Sequence, residues 1–238
     1  MSVGSWLVLI VLLLISGFGG GRIYGQTGAQ GSSSSSKSHV KPGARAAAGE
    51  SGLDAGDVVN GAYRNKSLGL IGKIPAGWVL RTEEMNSRDE QSGTGENAQI
   101  GAAPDRTTEG CPSGCSTVLV AAFSRPPEAR GEDVNSSILI AAESVAKYPG
   151  LKDAAQYFGP LTEVAKAQGF SVDEEPYEFA LGSRNLVRGD FHKDVGSRVM
   201  RQSTLAFLSH GYVVSITVIG GTEDEVEELI DGVSFAGR

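Results

Sequence analysis

Asp190, His192 and Asp194 occupy alternate positions of one short stretch, DFHKD. On an extended chain alternate side chains share a face. An imidazole and two carboxylates would then stand side by side, the donor types that hold zinc or another divalent cation. The same alternation describes a polar strand face open to water. Arg188-Gly189-Asp190 spells an adhesion tripeptide, but it falls inside the same extended stretch rather than at a loop tip and is read as chance.

Cys111 and Cys115 enclose Pro-Ser-Gly. Two cysteines so close around turn-forming residues suggest a local disulfide in an exported protein. Redox pairs favour C-x-x-C at a helix start, and a metal half-site needs further ligands close by. Nucleophilic catalysis requires a base beside a Ser or Cys. Of the three histidines, His39 lies in a polar N-terminal stretch, which leaves His192 and His210. The sequence carries no G-x-S-x-G elbow, no P-loop and no dinucleotide fingerprint.

Charge narrows the partners. The 238 residues carry a net charge of −7. From Asp57 onward 17 Lys and Arg stand against 26 Asp and Glu, a balance of −9. That sign disfavours nucleic acid, whose phosphates call for Lys and Arg, and adsorption to anionic membranes.

The elements that would position these residues read as follows. Residues 1–25 hold an apolar run, Leu7–Ile15, of signal-peptide length. No Lys or Arg precedes it and Arg22 follows, so an uncleaved N-terminal anchor is the alternative. Residues 26–57, with five consecutive serines, form a Gly/Ser/Ala-rich linker too poor in apolar groups to fold. A folded domain is expected over 58–238. Residues 82–115 read as a long polar loop, disordered or part of a binding surface. Trp78 follows Pro75-Ala76-Gly77 and is expected to sit half-buried, a packing residue before it is a ligand-stacking one.

Thr117–Phe123 reads as a buried strand. Ile138, Ala141, Ala142, Val145 and Tyr148 have helical spacing, with Ser136 or Ser137 as cap. A second helix is expected over Leu151–Gln168, kinked or split at Gly159-Pro160. Strands follow at Pro176–Leu181, Arg184–Val195 and Arg198–Leu208. His210-Gly211 turns the chain into a strand, YVVSITVI, whose Tyr212, Val214, Ile216 and Val218 make one apolar face. Thr222 stands three residues before Glu225, the capping-box spacing. It opens a helix whose stripe is Val226, Leu229, Ile230 and Val233.

The segments YRNKSLGLIGKIPAGW (Tyr63 to Trp78) and SHGYVVSITVIGGTEDEVEELIDGVSF (Ser209 to Phe235), in this order of elements, resemble the PsbP-like family, to which the Mog-type Ran-binding proteins are related. The resemblance spans Val58 to Phe235. It implies an α+β fold in which an antiparallel β-sheet is sandwiched between α-helices. It also implies a protein that binds or assists assembly rather than catalyses, and the 82–115 stretch looks like an insertion in that pattern. The expectation is an exported, bacterial, non-enzymatic domain without a cofactor that engages a protein or cell-envelope component. Its location is periplasmic or extracellular, with a membrane-anchored form as the alternative. The competing expectation is a metal-binding or metal-dependent activity at Asp190, His192 and Asp194.

Overall fold

The computed structural model describes residues 53–93, 116–129, 131 and 133–236. The 1–25 segment, the linker up to residue 52 and the Cys111 and Cys115 pair lie outside the described residues. The chain forms β1 (Asp57–Val59), β2 (Ala62–Asn65), β3 (Leu70–Lys73), β4 (Val79–Leu80), α1 (Thr82–Gly93), β5 (Ser116–Phe123) and β6 (Ser137–Ser144). Two 3₁₀ turns, Val145–Lys147 and Ala155–Tyr157, lead to α2 (Phe158–Ala167). Then come β7 (Ser171–Val172), β8 (Tyr177–Leu181), β9 (Arg184–Val195), β10 (Arg198–Ser209), β11 (Tyr212–Gly220), α3 (Glu223–Asp231) and β12 (Val233–Phe235).

An eight-stranded antiparallel sheet runs β4-β5-β6-β11-β10-β9-β7, with β8 also on β9. A four-stranded sheet, β1-β2-β3-β12, is separate. Period-two alternation gives the large sheet two covered faces. Ile138, Ile140, Leu205, Phe207, Val214, Ile216 and Val218 pack on one face against α3 and the small sheet. On the other face Met85 of α1 covers Val118, Ala121, Phe123, Leu139 and Ala141. Beside it Phe158, Leu161 and Ala165 of α2 cover Phe191, Met200, Ala206, Val213 and Ile219. The fold is therefore α+β, with the antiparallel sheet between two layers that carry helices.

From Arg184 to Asp231 the chain follows its expected form. The His210-Gly211 turn has φ of 52° and 78°, the doubly left-handed geometry that matches strand twist in two-residue hairpins. Thr222 accepts a hydrogen bond from Glu225 N–H at 3.2 Å. Glu225 reaches back to Gly221 N–H at 2.8 Å, one residue before the cap, and also accepts from Ser136. Removing the cap with Thr222→Ala is expected to destabilise the domain by about 1 kcal/mol. A denaturant midpoint that moves by less than about a third of that would refute the capping role.

Four expectations are corrected. Residues 137–144 form the central strand β6, not a helix. SILIAAES is buried on both faces, so an unbroken apolar run hides the period of two and its helical spacing is incidental. The helix expected over 151–168 begins only at Phe158, and Pro160 neither kinks nor splits it. Proline belongs in a first turn, where its missing N–H has no helical partner to lose. The loop expected over 82–115 begins with α1. Thr82 accepts from Ala121 N–H at 3.0 Å, and Asn86 bonds both N–H and C=O of Val118 at 2.9 Å. Polar anchors and one buried Met hold this helix, so it has no apolar stripe to read.

Finally, the domain starts before Val58. Leu53 packs on the core, the Tyr63 hydroxyl donates to Ala55 C=O at 3.0 Å, and Asn65 Nδ2 donates to Asp54 C=O. Gly56 allows that approach: its φ is +74°, and a Cβ there would lie 2.7 Å from Arg64 O and from the Tyr63 ring.

Candidate functional site

β9 carries most of the chemistry-bearing residues, and its alternation sorts them. Arg188 and Asp190 share the face that looks toward α3, opposite Leu205 and Ser203 of β10. The Arg188 guanidinium bonds Asp190 through Nε at 3.0 Å and reaches Glu227 of α3 through Nη1 at 3.2 Å. Its Cζ lies 5.2 Å from the centre of the Phe179 ring. Burial alone would lower its pKa, but the hydrogen bonds to Glu227 and Asp190 hold the charge and raise it. The Tyr177 hydroxyl donates to the second oxygen of Asp190 at 3.0 Å. Gly189 turns to the opposite face, where the Phe158 ring lies against it. The adhesion-like tripeptide is thus absorbed by packing on one side and pairing on the other.

The three residues singled out for metal do not converge. Asp190 is engaged by Arg188 and Tyr177, while His192 Nδ1 bonds Asp173. Asp194 is exposed near the β9–β10 turn. Among the described residues no group of three or more His, Cys, Asp and Glu side chains is placed to hold a metal ion. His210, the other histidine of the domain, bonds Ser67 C=O through Nε2 at 3.1 Å and ties the β10–β11 turn to the β2–β3 loop. Trp78 is half-buried and packs on the main core, the environment expected of it.

A buried carboxylate escaped the sequence reading. Glu143, near the end of β6, is 1% exposed. The Tyr157 hydroxyl donates to one of its oxygens at 2.7 Å and the Tyr148 hydroxyl to the other at 2.6 Å. The rings of those tyrosines meet edge to face at 5.5 Å. The only signal was a Glu ending an apolar run, with a Tyr five residues on, and a helical reading of 138–148 sends such a Glu toward solvent. Ser203, fully buried, has a hydroxyl with no hydrogen-bond partner among the described residues.

The tyrosines carry a pH signature. Desolvation, reinforced by nearby carboxylates, pushes Tyr63 and Tyr177 up to about 12. Burial first and Glu143 second push Tyr148 and Tyr157 well above the ordinary value. Unfolded tyrosines lose their protons near 10, where the folded chain still keeps these. Stability is therefore complete below about pH 10 and falls as pH rises from there through 12 and beyond. An alkaline titration followed by tyrosinate absorbance is expected to show a late phase that coincides with loss of structure. Ionisation of all tyrosines near 10 with the fold intact would contradict these environments.

An open groove of about 300 Å³ lies where the ends of β9 and β10 adjoin the 153–154 segment and β8. Val187 and Leu208 supply its accessible apolar surface, and Asp153, Glu178, Arg184 and Asn185 its polar lining. His, Cys and Lys are absent from that lining.

No protein-family model and no curated protein sequence matches the chain. Solved structures with a likeness in fold include the Ran-binding protein Mog1p of Saccharomyces cerevisiae. It is 12% identical, with 71% of this chain and 80% of that one covered and a TM-score of 0.34. LpqN of Mycobacterium tuberculosis, described as involved in cell envelope biogenesis, is 13% identical over 71% of this chain and 83% of that one, with a TM-score of 0.33. PA94, a Pseudomonas aeruginosa protein of unknown function, is 16% identical over 42% of this chain and 68% of that one, with a TM-score of 0.31.

Proposed function

We propose that this chain is an exported, bacterial, non-enzymatic domain that binds a protein or another component of the cell envelope. The observation that carries this reading is the way its withdrawn ionisable groups are matched. Glu143 has a tyrosine hydroxyl on each oxygen, and Arg188 has Asp190 and Glu227. Acid, base or nucleophilic catalysis needs a titratable group facing a concavity that a substrate can enter, and neither Glu143 nor Arg188 lines the groove. The groove offers apolar surface and exposed polar groups instead, the makings of recognition. Export rests on the Leu7–Ile15 run, and an acidic domain suits a partner that is neither nucleic acid nor an anionic lipid surface.

The test sets capture against turnover. The purified 238-residue chain is screened with ester, phosphomonoester, glycoside and peptide substrates, and in parallel used for affinity capture from envelope fractions of its own source. The expected result is no turnover above the buffer rate, together with a captured component that rebinds the chain in saturable, stoichiometric fashion when purified. Turnover that co-purifies with the chain and disappears in Glu143→Gln or Ser203→Ala would overturn the reading.

A further inference from the structure

The groove lies where two hairpins part. The β9–β10 ladder begins at Arg198↔Val195 and stops at Ala206↔Val187, although both strands continue. Past that point β9 stays with β8 as far as Leu181↔Arg184, and β10 stays with β11 as far as Ser209↔Tyr212. Those two terminal pairs flank the two-residue turns Gly182-Ser183 and His210-Gly211, so each is a hydrogen-bonded pair. Bonding direction alternates along a strand. Counting in twos, Arg184 and Leu186 bond toward β8, while Phe207 and Ser209 bond toward β11. Ala206 and Val187 bond each other across the ladder. The next rung of that ladder, Leu208 with Asn185, is not formed, and its N–H and C=O groups face the gap.

The surroundings of that open rung have a definite chemistry. Leu208 is 37% exposed, among the most exposed large apolar side chains of the described residues. Asp153 and Glu178 bring carboxylates to the groove. Arg184 belongs to the same lining, so two carboxylates against one guanidinium leave its formal charge at −1. The guanidinium lies 4.6 Å from the Phe207 ring centre and 4.7 Å from that of Phe235. The groove thus joins unspent strand hydrogen bonds, an apolar floor and a negative rim within a chain of net charge −7.

We propose that this groove receives an extended, basic peptide segment of a protein partner. Resting on the binding reading above, this names the partner's chemistry. A strand backbone laid into the gap takes the rung of Leu208 and Asn185, as a sheet edge accepts an added strand. An apolar side chain on the segment covers Leu208 and Val187. A Lys or Arg one position away meets Asp153 and Glu178, which steers the encounter and sets its register.

The probe is a fluorescent, capped eight-residue peptide of alternating Lys and Val, with a Glu-Val peptide and spermidine as controls. Binding to the 238-residue chain is read by anisotropy and by amide shifts in NMR spectra. The expected result is saturable binding of the Lys-Val peptide alone, with the largest shifts at Asn185 and Leu208. The double variant Asp153→Asn/Glu178→Gln, at exposed positions, is expected to weaken it about tenfold, as two exposed ion pairs would, and to flatten its salt dependence. An unchanged affinity in that variant, shifts centred elsewhere, or equal binding of the Glu-Val peptide would overturn the proposal. So would a spermidine response identical to the peptide's, because it would show a site that reads charge without a strand. If the envelope component of the preceding test binds the double variant as tightly as the native chain, the site is wrong while the binding function stands. Turnover in that test would instead remove the function itself.

Discussion

Replacing Glu143 by Ala is expected to cost the domain about 3 kcal/mol or more. The substitution leaves the hydroxyls of Tyr157 and Tyr148 without their acceptor. A buried polar group left unmatched costs roughly 1–3 kcal/mol, and the lost side chain leaves a void in a packed layer. For a domain of this size the midpoint of thermal unfolding should fall by about 6–12 °C. Glu143→Gln should cost only about 1 kcal/mol, because an amide oxygen still accepts and a hydroxyl can accept in turn. The triple change Glu143→Leu with Tyr148→Phe and Tyr157→Phe should be close to neutral, since it removes donors and acceptor together. Calorimetric unfolding of the three variants decides the matter. An alanine variant within about 1 kcal/mol of the parent would mean that the carboxylate contributes little.

The second large effect is at Gly189. A Cβ there would stand 2.6 and 2.8 Å from two carbons of the Phe158 ring. Phe158 is itself 1% exposed, so its ring has no open side to move into. Gly189→Val is expected to cost about 3 kcal/mol, at the upper end of what overpacking a core does. Gly189→Ala should cost less but remain clearly destabilising. Pairing the valine with Phe158→Leu should restore part of the loss, and a double-mutant cycle should give a favourable coupling of about 1 kcal/mol. Strictly additive effects would refute the contact. The Arg188–Asp190 pair on the opposite face should be undisturbed, because strand alternation separates the two sides.

Local order was legible wherever a rule acts within a few residues. The His210-Gly211 turn, the Thr222 cap and the Val226, Leu229 and Ile230 part of the stripe depend on backbone sterics and near neighbours and appear where the sequence places them. Val233, expected on the same helix, instead begins β12. The bounds of β9 coincide with those expected, and the β8–β11 meander follows because each of its turns is short. The α+β class came from the same elements, together with the resemblance carried by Tyr63 to Trp78 and Ser209 to Phe235. The mildly acidic balance of the chain and its poverty in His and Cys were equally plain.

What only the tertiary structure decided is who faces whom across long separations. SILIAAES has helical and strand spacing at once, and it became β6 because β5 and β11 flank it on both edges. The sequence shows Asp190, His192 and Asp194 as neighbours. The fold ties Asp190 to an arginine two residues away that also reaches α3, and ties His192 to Asp173, a loop residue. Under the helical reading of 138–148 Glu143 is a solvent-facing charge, until the fold makes that stretch β6 and the 3₁₀ turn at Ala155–Tyr157 brings Tyr157 over it. The open rung at Leu208 and Asn185 has no sequence signal at all, since each strand is regular by itself and only their divergence exposes it. Turns, caps and stripes are set by short-range sterics and periodicity. Ionic partners, burial and concavity are set by packing between distant segments, and one chain read in order does not contain those distances.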